Sequence, residues 1–312
     1  MRTAVRRFLA AHRAGPAVAV ACSGGADSLA LAAATVYCAG RLGLTVHGLV
    51  VDHQLQPGSA VVARTAAQAL RRLGCTAVEV LEIMVDGPGG PEAAARAARY
   101  AALRAAAPAG ALVLLGHTLD DQAETVLLGL GRGSGPRSVA GMRELDPPWG
   151  RPLLGVRRAV TAAACEALEL APWIDPHNTD PRFRRVRLRT EVLPLLEDVL
   201  AGGVAEALAR TAGQLQEDLA TLDELAGALH ARALRPDTAG PAELVVEVLE
   251  QAPAALRRRV LRRWLLDAGV PELTDAHLRA ADDLIGRWSG QGAVRLPGDV
   301  ELSRAHGRLH VS

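Results

Sequence analysis

Lysine is absent from this 312-residue sequence, so arginine supplies all 35 of its basic side chains. A GC-rich genome accounts for such a bias, but the bias also has a chemical consequence. Every permanent cation in a binding site must be a guanidinium, which binds phosphate through two parallel hydrogen bonds. The net charge is only +1. No overall field attracts the chain to nucleic acid, and any RNA contact must therefore come from local patches of arginine.

The sequence also lacks paired cysteines and long apolar runs. Its four cysteines form no CxxC pair and no Cys/His cluster with zinc spacing, which favours free thiols in a reducing compartment. No stretch reaches the roughly 20 apolar residues of a membrane span. The N-terminal segment is typical of an amphipathic helix and not of a signal peptide. These absences predict a cytoplasmic protein that has no membrane partner.

Four short apolar runs alternate with helical patterns in the first 133 residues. The runs lie at 16–22, 44–52, 76–83 and 111–117. Each has the length of a buried strand, and each is followed by a segment rich in alanine and leucine. This alternation predicts an α/β fold, with a doubly wound parallel sheet that carries helices on both faces.

The pattern loosens after residue 133, where we expect a Gly/Pro-rich loop, then helices and finally a small β-hairpin. Since a chain of this length is typical of two domains, we predict two domains joined by a linker. Residues 1–200 form the catalytic α/β domain, 201–235 form a helical linker, and 236–312 form a small α+β C-terminal domain.

A Ser-Gly-Gly-Ala-Asp-Ser turn follows the first predicted strand and opens the first helix of the sheet. Its residues are Ser23, Gly24, Gly25, Ala26, Asp27 and Ser28. The glycines allow backbone N–H groups to approach an anion, and the hydroxyls and the helix N-terminus add to the attraction. Asp27 would repel phosphate unless a cation joined them, so the turn predicts ATP bound with Mg²⁺ and Asp27 as a metal ligand. A capped Gly-rich turn is the structural alternative.

Two further polar groups follow predicted strands, namely Asp52 with His53 and Gly116 with His117. The carboxyl ends of parallel strands meet at one edge, so we expect these four residues to bind ATP together with the turn. Just beyond His117, Asp121 and Glu124 are three residues apart on one face of a helical turn. They could cap the helix, but we favour a role in holding an ammonium group or accepting a proton from an amine.

These segments resemble known families. Ser23–Ser28 is similar to the PP-loop of the N-type ATP pyrophosphatases, which split ATP into AMP and pyrophosphate through an adenylated carbonyl oxygen. GHTLDDQAETVLLGLGRGSG resembles the GHxxDDxxET…RGSG signature of the tRNA(Ile)-lysidine synthetase family. The resemblance implies that Asp121 and Glu124 bind lysine and help to deprotonate its ε-amine. Arg96 lies in a segment that resembles the family's ARxxRY helix, and we expect it to neutralise either an α-phosphate or the charge that develops on the adenylated base. We interpret Arg99 as a solvated side chain.

Arginines after residue 180 suggest contacts with RNA. Five lie between residues 182 and 189, following a segment that resembles the family's DxSNxD…RNxxR element, although His177 and Val186 replace its usual Ser and Asn. Phosphate contact and a solvated face are the two interpretations. The candidate tRNA-binding residues are Arg132, Asn178, Arg185, Arg189, Arg258 and Arg262.

The resemblance implies a ligase that forms a carbon–nitrogen bond on an isoleucine tRNA with a CAU anticodon. The C2 oxygen of the wobble cytidine attacks the α-phosphate of ATP, and pyrophosphate leaves an adenylated base. The ε-amine of free L-lysine then attacks C2 and displaces AMP to give lysidine. Two rivals remain: another PP-loop enzyme such as a tRNA thiolase, and a non-catalytic protein that senses ATP. The sequence leaves open whether the chain forms a homodimer.

Overall fold

The computed structural model describes residues 1–13, 15–54, 58–84, 90–133, 135–176, 180–235 and 242–312. Contacts divide the chain into two compact units, Met1–Gly213 and Gln214–Ser312. The division falls inside one long helix, within the segment that the sequence predicts to be a linker. No helix in the described part of the chain is both long and apolar enough to cross a membrane.

A six-stranded sheet forms the centre of the first unit, with the strand order β3-β2-β1-β4-β6-β5. The strands are β1 (Ala17–Ala21), β2 (Thr45–Asp52), β3 (Ala77–Glu82), β4 (Leu112–Leu114), β5 (Leu145–Asp146) and β6 (Trp149–Gly150). All of the pairings are parallel except that of β5 with β6. The predicted parallel α/β sheet is confirmed. The loop expected after residue 133 is wrong in part, because β5 and β6 extend the sheet there, and strands of two residues leave no periodic signal.

Helices cover both faces of this sheet, as a doubly wound fold requires. The helices that begin in this unit are α1 (Arg2–His12), α2 (Ala26–Leu42), α3 (Ser59–Leu73), α4 (Pro91–Ala106), α5 (Leu119–Arg132), α6 (Pro136–Val139), α7 (Arg158–Ala167), α8 (Arg184–Arg187), α9 (Leu193–Val199) and α10 (Val204–Ala233), of which α10 continues into the second unit. A π-helical segment, Leu188–Val192, joins α8 to α9. Phe8, Leu31 and Leu70 bury one face of the sheet under α1, α2 and α3, and Leu103 of α4 packs with Trp149 on the other face.

The second unit is an α+β unit built on a five-stranded antiparallel sheet, with the order β7-β8-β11-β10-β9. Its strands are β7 (Leu234–Arg235), β8 (Glu243–Val245), β9 (Val294–Leu296), β10 (Val300–Ala305) and β11 (Arg308–Val311), and its helices are α11 (Val246–Glu250), α12 (Ala254–Asp267) and α13 (Asp275–Gly286). Trp264 and Leu265 of α12 lie in its core. The expected hairpin around Gly298 is present, but it belongs to this larger sheet.

Candidate functional site

The Ser-Gly-Gly turn lies between β1 and α2 and is held by its own hydroxyl groups. Ser28 Oγ donates to the carbonyl of Gly25 at 2.9 Å, and the backbone N–H of Ser23 donates to Ser28 Oγ at 3.2 Å. Gly24 has a φ of +84°, a left-handed conformation that favours glycine. Gly25 caps α2 without a side-chain hydrogen bond to the helix. The first N–H groups of α2 therefore have no side-chain acceptor from the cap residue, as an anion-binding helix start requires.

The end of β4 lies directly against this turn. A Cβ atom on Gly116 would come within 3.1 Å of Asp27 C and Ser28 N, so a side chain here would require these backbone atoms to shift by a few tenths of an ångström. At the end of β2, Asp52 is buried and accepts a hydrogen bond from the N–H of Gln54 at 2.9 Å, which makes it a turn-capping residue. The structure thus gathers the turn and the residues after β2 and β4 at one sheet edge, as predicted.

Three carboxylates, one from the turn and two from the start of α5, share one guanidinium. Arg158, the first residue of α7, lies 2.6 Å from Asp121 Oδ1, and 3.4 Å from both Asp27 Oδ2 and Glu124 Oε1. We call Asp27, Asp121 and Glu124 the acidic cluster. Thr161, one turn further along α7, donates a hydrogen bond to the other oxygen of Asp27. Helix α7 therefore connects the Ser-Gly-Gly turn to the start of α5.

Asp121 and Glu124 differ in what holds them. Asp121 Oδ2 accepts from Thr118 N at 2.7 Å and from Thr118 Oγ1 at 2.8 Å, which completes a capping box at the start of α5. Its other oxygen faces Arg158, so Asp121 both caps α5 and contacts the guanidinium that the cluster shares. Glu124 is fully buried and takes no part in the cap; Arg189 Nε binds its Oε1 at 2.9 Å.

The charges in this cluster alter one another's titration. Burial raises the pKa of Asp27, although hydrogen bonds from Thr161 and the charge of Arg158 oppose the effect. Burial also acts to raise the pKa of Asp121, but Arg158 and the hydrogen bonds from Thr118 outweigh it, so that this pKa lies below its ordinary value. Burial lowers the pKa of the His117 imidazole to about 4, and nearby arginines add to this shift. Asp121 is thus ionised and His117 neutral near pH 7.

The opposite side of the site is basic. Arg96 is exposed and donates to the hydroxyl of Tyr100 at 3.2 Å. Arg99 is more buried than Arg96, so its interpretation as a solvated side chain is wrong. Burial lowers the pKa of Arg99, and the charges of Arg96 and Arg185 lower it further. Arg99 in turn acts on His53, whose pKa is lowered first by burial and then by this charge.

The candidate tRNA-binding residues are dispersed. Arg132, at the end of α5, and Arg185 are exposed, and Arg185 Nη2 lies 3.5 Å from Thr125 Oγ1. Arg189 instead pairs with buried Glu124. Asn178 lies outside the described residues. In the second unit Arg258 is half-buried on α12, and Arg262 donates to the carbonyl of Leu273 at 3.4 Å.

Sequence reasoning missed Arg157, Arg158, Thr161 and Arg151. Arg157 precedes α7 and pairs with Asp120 at 3.2 Å. Cations at a helix N-terminus oppose the helix dipole, so two adjacent arginines there are a signal that carboxylates from elsewhere hold them. Arg151, at the end of β6, has a side chain that sequence spacing cannot distinguish from a surface arginine.

Two family models match the chain. Residues 1–196 match the model described as the PP-loop domain, and residues 244–310 match that of the TilS substrate binding domain. A U34-tRNA thiolase, NcsA from Methanococcus maripaludis with its [4Fe-4S] cluster, is similar in fold, with a TM-score of 0.58 and 19% identity over 69% of this chain and 78% of that chain.

Relatives named tRNA(Ile)-lysidine synthase match almost the whole sequence. The one from Nocardia farcinica is 59% identical over 99% of this chain and 96% of its own length. The one from Mycolicibacterium paratuberculosis is 59% identical over 96% of this chain and 91% of its own length. The one from Mycobacterium tuberculosis strain H37Rv is 56% identical over 94% of this chain and 89% of its own length. The chain therefore belongs to the tRNA(Ile)-lysidine synthase family.

Proposed function

We propose that this chain is a ligase that joins L-lysine to C2 of the wobble cytidine of an isoleucine tRNA with a CAU anticodon. The reaction uses ATP, forms lysidine, and releases AMP and pyrophosphate. The observation that carries the proposal is the acidic cluster next to the phosphate-binding turn, because an amine nucleophile needs carboxylates beside the group that it attacks. The similarity to relatives named tRNA(Ile)-lysidine synthase over nearly their full length supports it.

The turn Ser23–Ser28 is the part that we assign to the phosphates of ATP. Its N–H groups point from the N-terminus of α2, and the hydroxyls of Ser23 and Ser28 lie 3.3 Å apart beside them. Asp27 supplies a carboxylate there, and magnesium needs only one or two protein carboxylates when phosphate oxygens and waters complete its shell. Asp27 therefore fits as a Mg²⁺ ligand. The ion would neutralise phosphate charge as pyrophosphate leaves.

Asp121 and Glu124 are the residues that we assign to the amino groups of lysine. Asp121 has a lowered pKa, so it is a weak proton acceptor and a good partner for an ammonium group. Arg158 and Arg189 contact the same carboxylates, with Arg158 within 2.6 Å of Asp121 and Arg189 within 2.9 Å of Glu124. A lysine ammonium must share these oxygens with the arginines or displace them, which makes lysine binding sensitive to both.

Arg96 and the arginines around it form the side of the site that we assign to the α-phosphate and the RNA. A wobble base in a single-stranded anticodon loop can be unstacked to enter such a site. Exposed Arg96 and Arg185 lie where the basic side meets solvent. We propose Arg132 and Arg185 as phosphate contacts that position the tRNA, together with Asn178 and the α12 residues Arg258 and Arg262. Arg189 is a candidate both for tRNA contact and for a role at the lysine site, since it pairs with Glu124.

The rival functions are not favoured. The thiolase is similar in fold but only 19% identical in sequence, so the similarity gives no evidence about the reaction of this chain. A protein that only senses ATP has no use for a fully buried carboxylate paired with two arginines beside the nucleotide turn. Since ATP, free lysine and tRNA are all available in the cytoplasm, the proposed reaction belongs there.

The two half-reactions allow a direct test with Glu124→Gln. The first half-reaction, adenylation, is measured as tRNA-dependent exchange of labelled pyrophosphate into ATP. The second, lysine transfer, is measured as incorporation of labelled lysine into the tRNA. We expect Glu124→Gln to retain exchange and to lose lysine incorporation by about 10²–10⁴-fold, the range typical of a removed acid–base group. Glu191→Gln is the matched control, because Glu191 is exposed and pairs with Arg187 outside the cluster. Equal loss of both half-reactions, in a variant that melts normally, would contradict the assignment.

A further inference from the structure

Four buried side-chain nitrogen atoms in the described ranges have no hydrogen-bond partner. They are Nδ1 of His53, Nδ1 of His117, Nε of Arg151 and Nε2 of His230. His230 lies on α10, but the other three lie at the carboxyl ends of parallel strands. His53 follows β2, His117 follows β4 and Arg151 follows β6. Buried polar atoms in folded proteins nearly always have partners. Three such atoms along one sheet edge indicate that this edge binds a ligand.

Arg151 is the most unusual of the three because it carries a permanent charge. It is 7% exposed, and its side chain donates to one described acceptor, the carbonyl of Arg143, at 2.9 Å. Among the described residues no carboxylate lies within 4.0 Å of it. Arg257, by contrast, has a side chain that is 13% exposed and pairs with Asp282 at 2.7 Å. A buried guanidinium without a carboxylate is costly, so a bound anion is the expected partner.

The sheet aligns Arg151 with the rest of the site. Trp149 of β6 faces α4, where its ring lies 4.6 Å from that of Tyr100. Gly150 faces the opposite layer, against α1. Because successive side chains alternate between faces, Arg151 extends on the α4 side. It is close enough to His117 for its charge to lower the pKa of that imidazole, after the larger effect of burial.

Like charges gather on this side. Arg96 and Arg185 both repel Arg99, since their charges lower the pKa of Arg99 in addition to the effect of burial. Arg96 and Arg99 also act on His117 together with Arg151. We call Arg96, Arg99, Arg151 and Arg185 the basic wall. The acidic cluster is contacted by the cations Arg158 and Arg189, whereas the basic wall has an excess of positive charge that an oxyanion would neutralise.

We propose that Arg151 is a substrate-binding residue that holds a phosphate oxygen against the basic wall, next to His117. The inference rests on the proposed function and adds a residue to which no role in that function has been assigned. The ligand is a phosphate-class oxyanion. Its two sources are the α-phosphate of ATP and a phosphodiester that flanks the wobble base of the tRNA. In both cases Arg151 fixes the position of the reacting groups by charge-assisted hydrogen bonds.

The test uses the full-length chain with Arg151→Met, Arg151→Lys and the control Arg104→Met. Arg104 is an exposed arginine on the same side of the sheet, with its guanidinium 5.7 Å from the Trp149 ring, so its removal changes the net charge equally. The measurements are the Kd of ATP with Mg²⁺ by calorimetry, the Kd of the tRNA at several salt concentrations, and the melting temperature. Neither binding measurement requires turnover, so a failed proposal for lysine transfer remains distinguishable.

We expect Arg151→Met to weaken one of the two ligands about tenfold or more, while Arg104→Met leaves both within about twofold. Weaker ATP binding alone identifies the α-phosphate as the source. Weaker tRNA binding with a salt slope reduced by about 0.7–0.9 identifies the RNA backbone. We also expect Arg151→Met to melt no lower than the wild type, because it removes an unpaired buried charge.

If Arg151→Met does not fold, the two affinities are compared between the wild type and Arg151→Lys, which keeps the charge but not the planar donors. Unchanged affinities for both ligands, or equal losses in Arg104→Met, would overturn the proposal.

Discussion

Replacement of Arg158 by Gln should destabilise the first unit strongly, because Arg158 is the one described cation that contacts all three carboxylates of the acidic cluster. Its side chain is 25% exposed, against 14% for Asp121 and 0% for Glu124. Removal of one partner from a buried ion pair typically costs about 3–5 kcal/mol. Glu124 keeps Arg189 as a partner at 2.9 Å, so we expect the lower end, about 3 kcal/mol. For a unit of this size that corresponds to a melting temperature lower by about 6–12 °C.

Arg157→Gln is the matched control, since Arg157 is the preceding residue and pairs outside the cluster. Its side chain is 39% exposed and faces Asp120 at 3.2 Å and Glu206 at 3.1 Å. Pairs of this exposure contribute about 0–1 kcal/mol. Scanning calorimetry of both variants measures the difference. Equal melting temperatures for the two variants, or an Arg158→Gln variant as stable as the wild type, would refute this account of the cluster.

The same variant tests the competition between Arg158 and lysine. Without Arg158, Asp121 and Glu124 retain negative charge with fewer cationic partners, so added L-lysine should raise the melting temperature of Arg158→Gln more than that of the wild type. Acidification gives a second signature. The pKa of Asp121 is lowered in the folded chain, so its stabilising effect is present above its ordinary pKa and is lost as the pH falls through the folded value. Arg158→Gln should lose less stability than the wild type over that acidic range.

Two further predictions concern the end of β4. Gly116→Ala places a Cβ 3.1 Å from backbone atoms of Asp27 and Ser28, so we expect a loss of about 1–3 kcal/mol in urea unfolding and weaker ATP binding by calorimetry. Gly155→Ala, with no atom within 4 Å of the added carbon, should change neither, and equal effects would contradict the close approach. His117 has a pKa of about 4, against 6.5 in the unfolded chain, so its contribution is lost as the pH falls between these values. That loss is about 2 kcal/mol near pH 5. In His117→Gln the midpoint of urea unfolding should depend less on pH than in the wild type. An unchanged pH dependence would count against a buried neutral imidazole.

The parallel sheet could be predicted because its main strands are apolar runs separated by helical segments. The apolar runs that predict β1 and β2 match the bounds of these strands to within one residue at each end. β5 and β6, with two residues each, form only because β4 offers an edge to pair with, and such a long-range cause leaves no period in the sequence. The same holds for the strands that enlarge the C-terminal sheet.

The candidate site was predictable where function depends on local spacing. The turn at Ser23–Ser28 and the pair Asp121 and Glu124 are recognisable from a few adjacent residues. Arg158 is 131 residues from Asp27 in sequence, and no local pattern connects them. Arg189 lies in a run of arginines that predicts an RNA-facing surface. The π-helical segment carries it, and its side chain reaches Glu124.

The central claim is that this chain attaches lysine to the wobble cytidine, and the most direct measurement is incorporation of labelled L-lysine into defined tRNA transcripts. The full-length chain is supplied with ATP and Mg²⁺ and with an isoleucine tRNA transcript that has a CAU anticodon, or with the same transcript carrying uridine at the wobble position. The account predicts lysine incorporation into the first transcript only, with AMP and pyrophosphate formed in amounts equal to the lysine attached. Release of AMP and pyrophosphate without attached lysine, or equal incorporation into both transcripts, would contradict it.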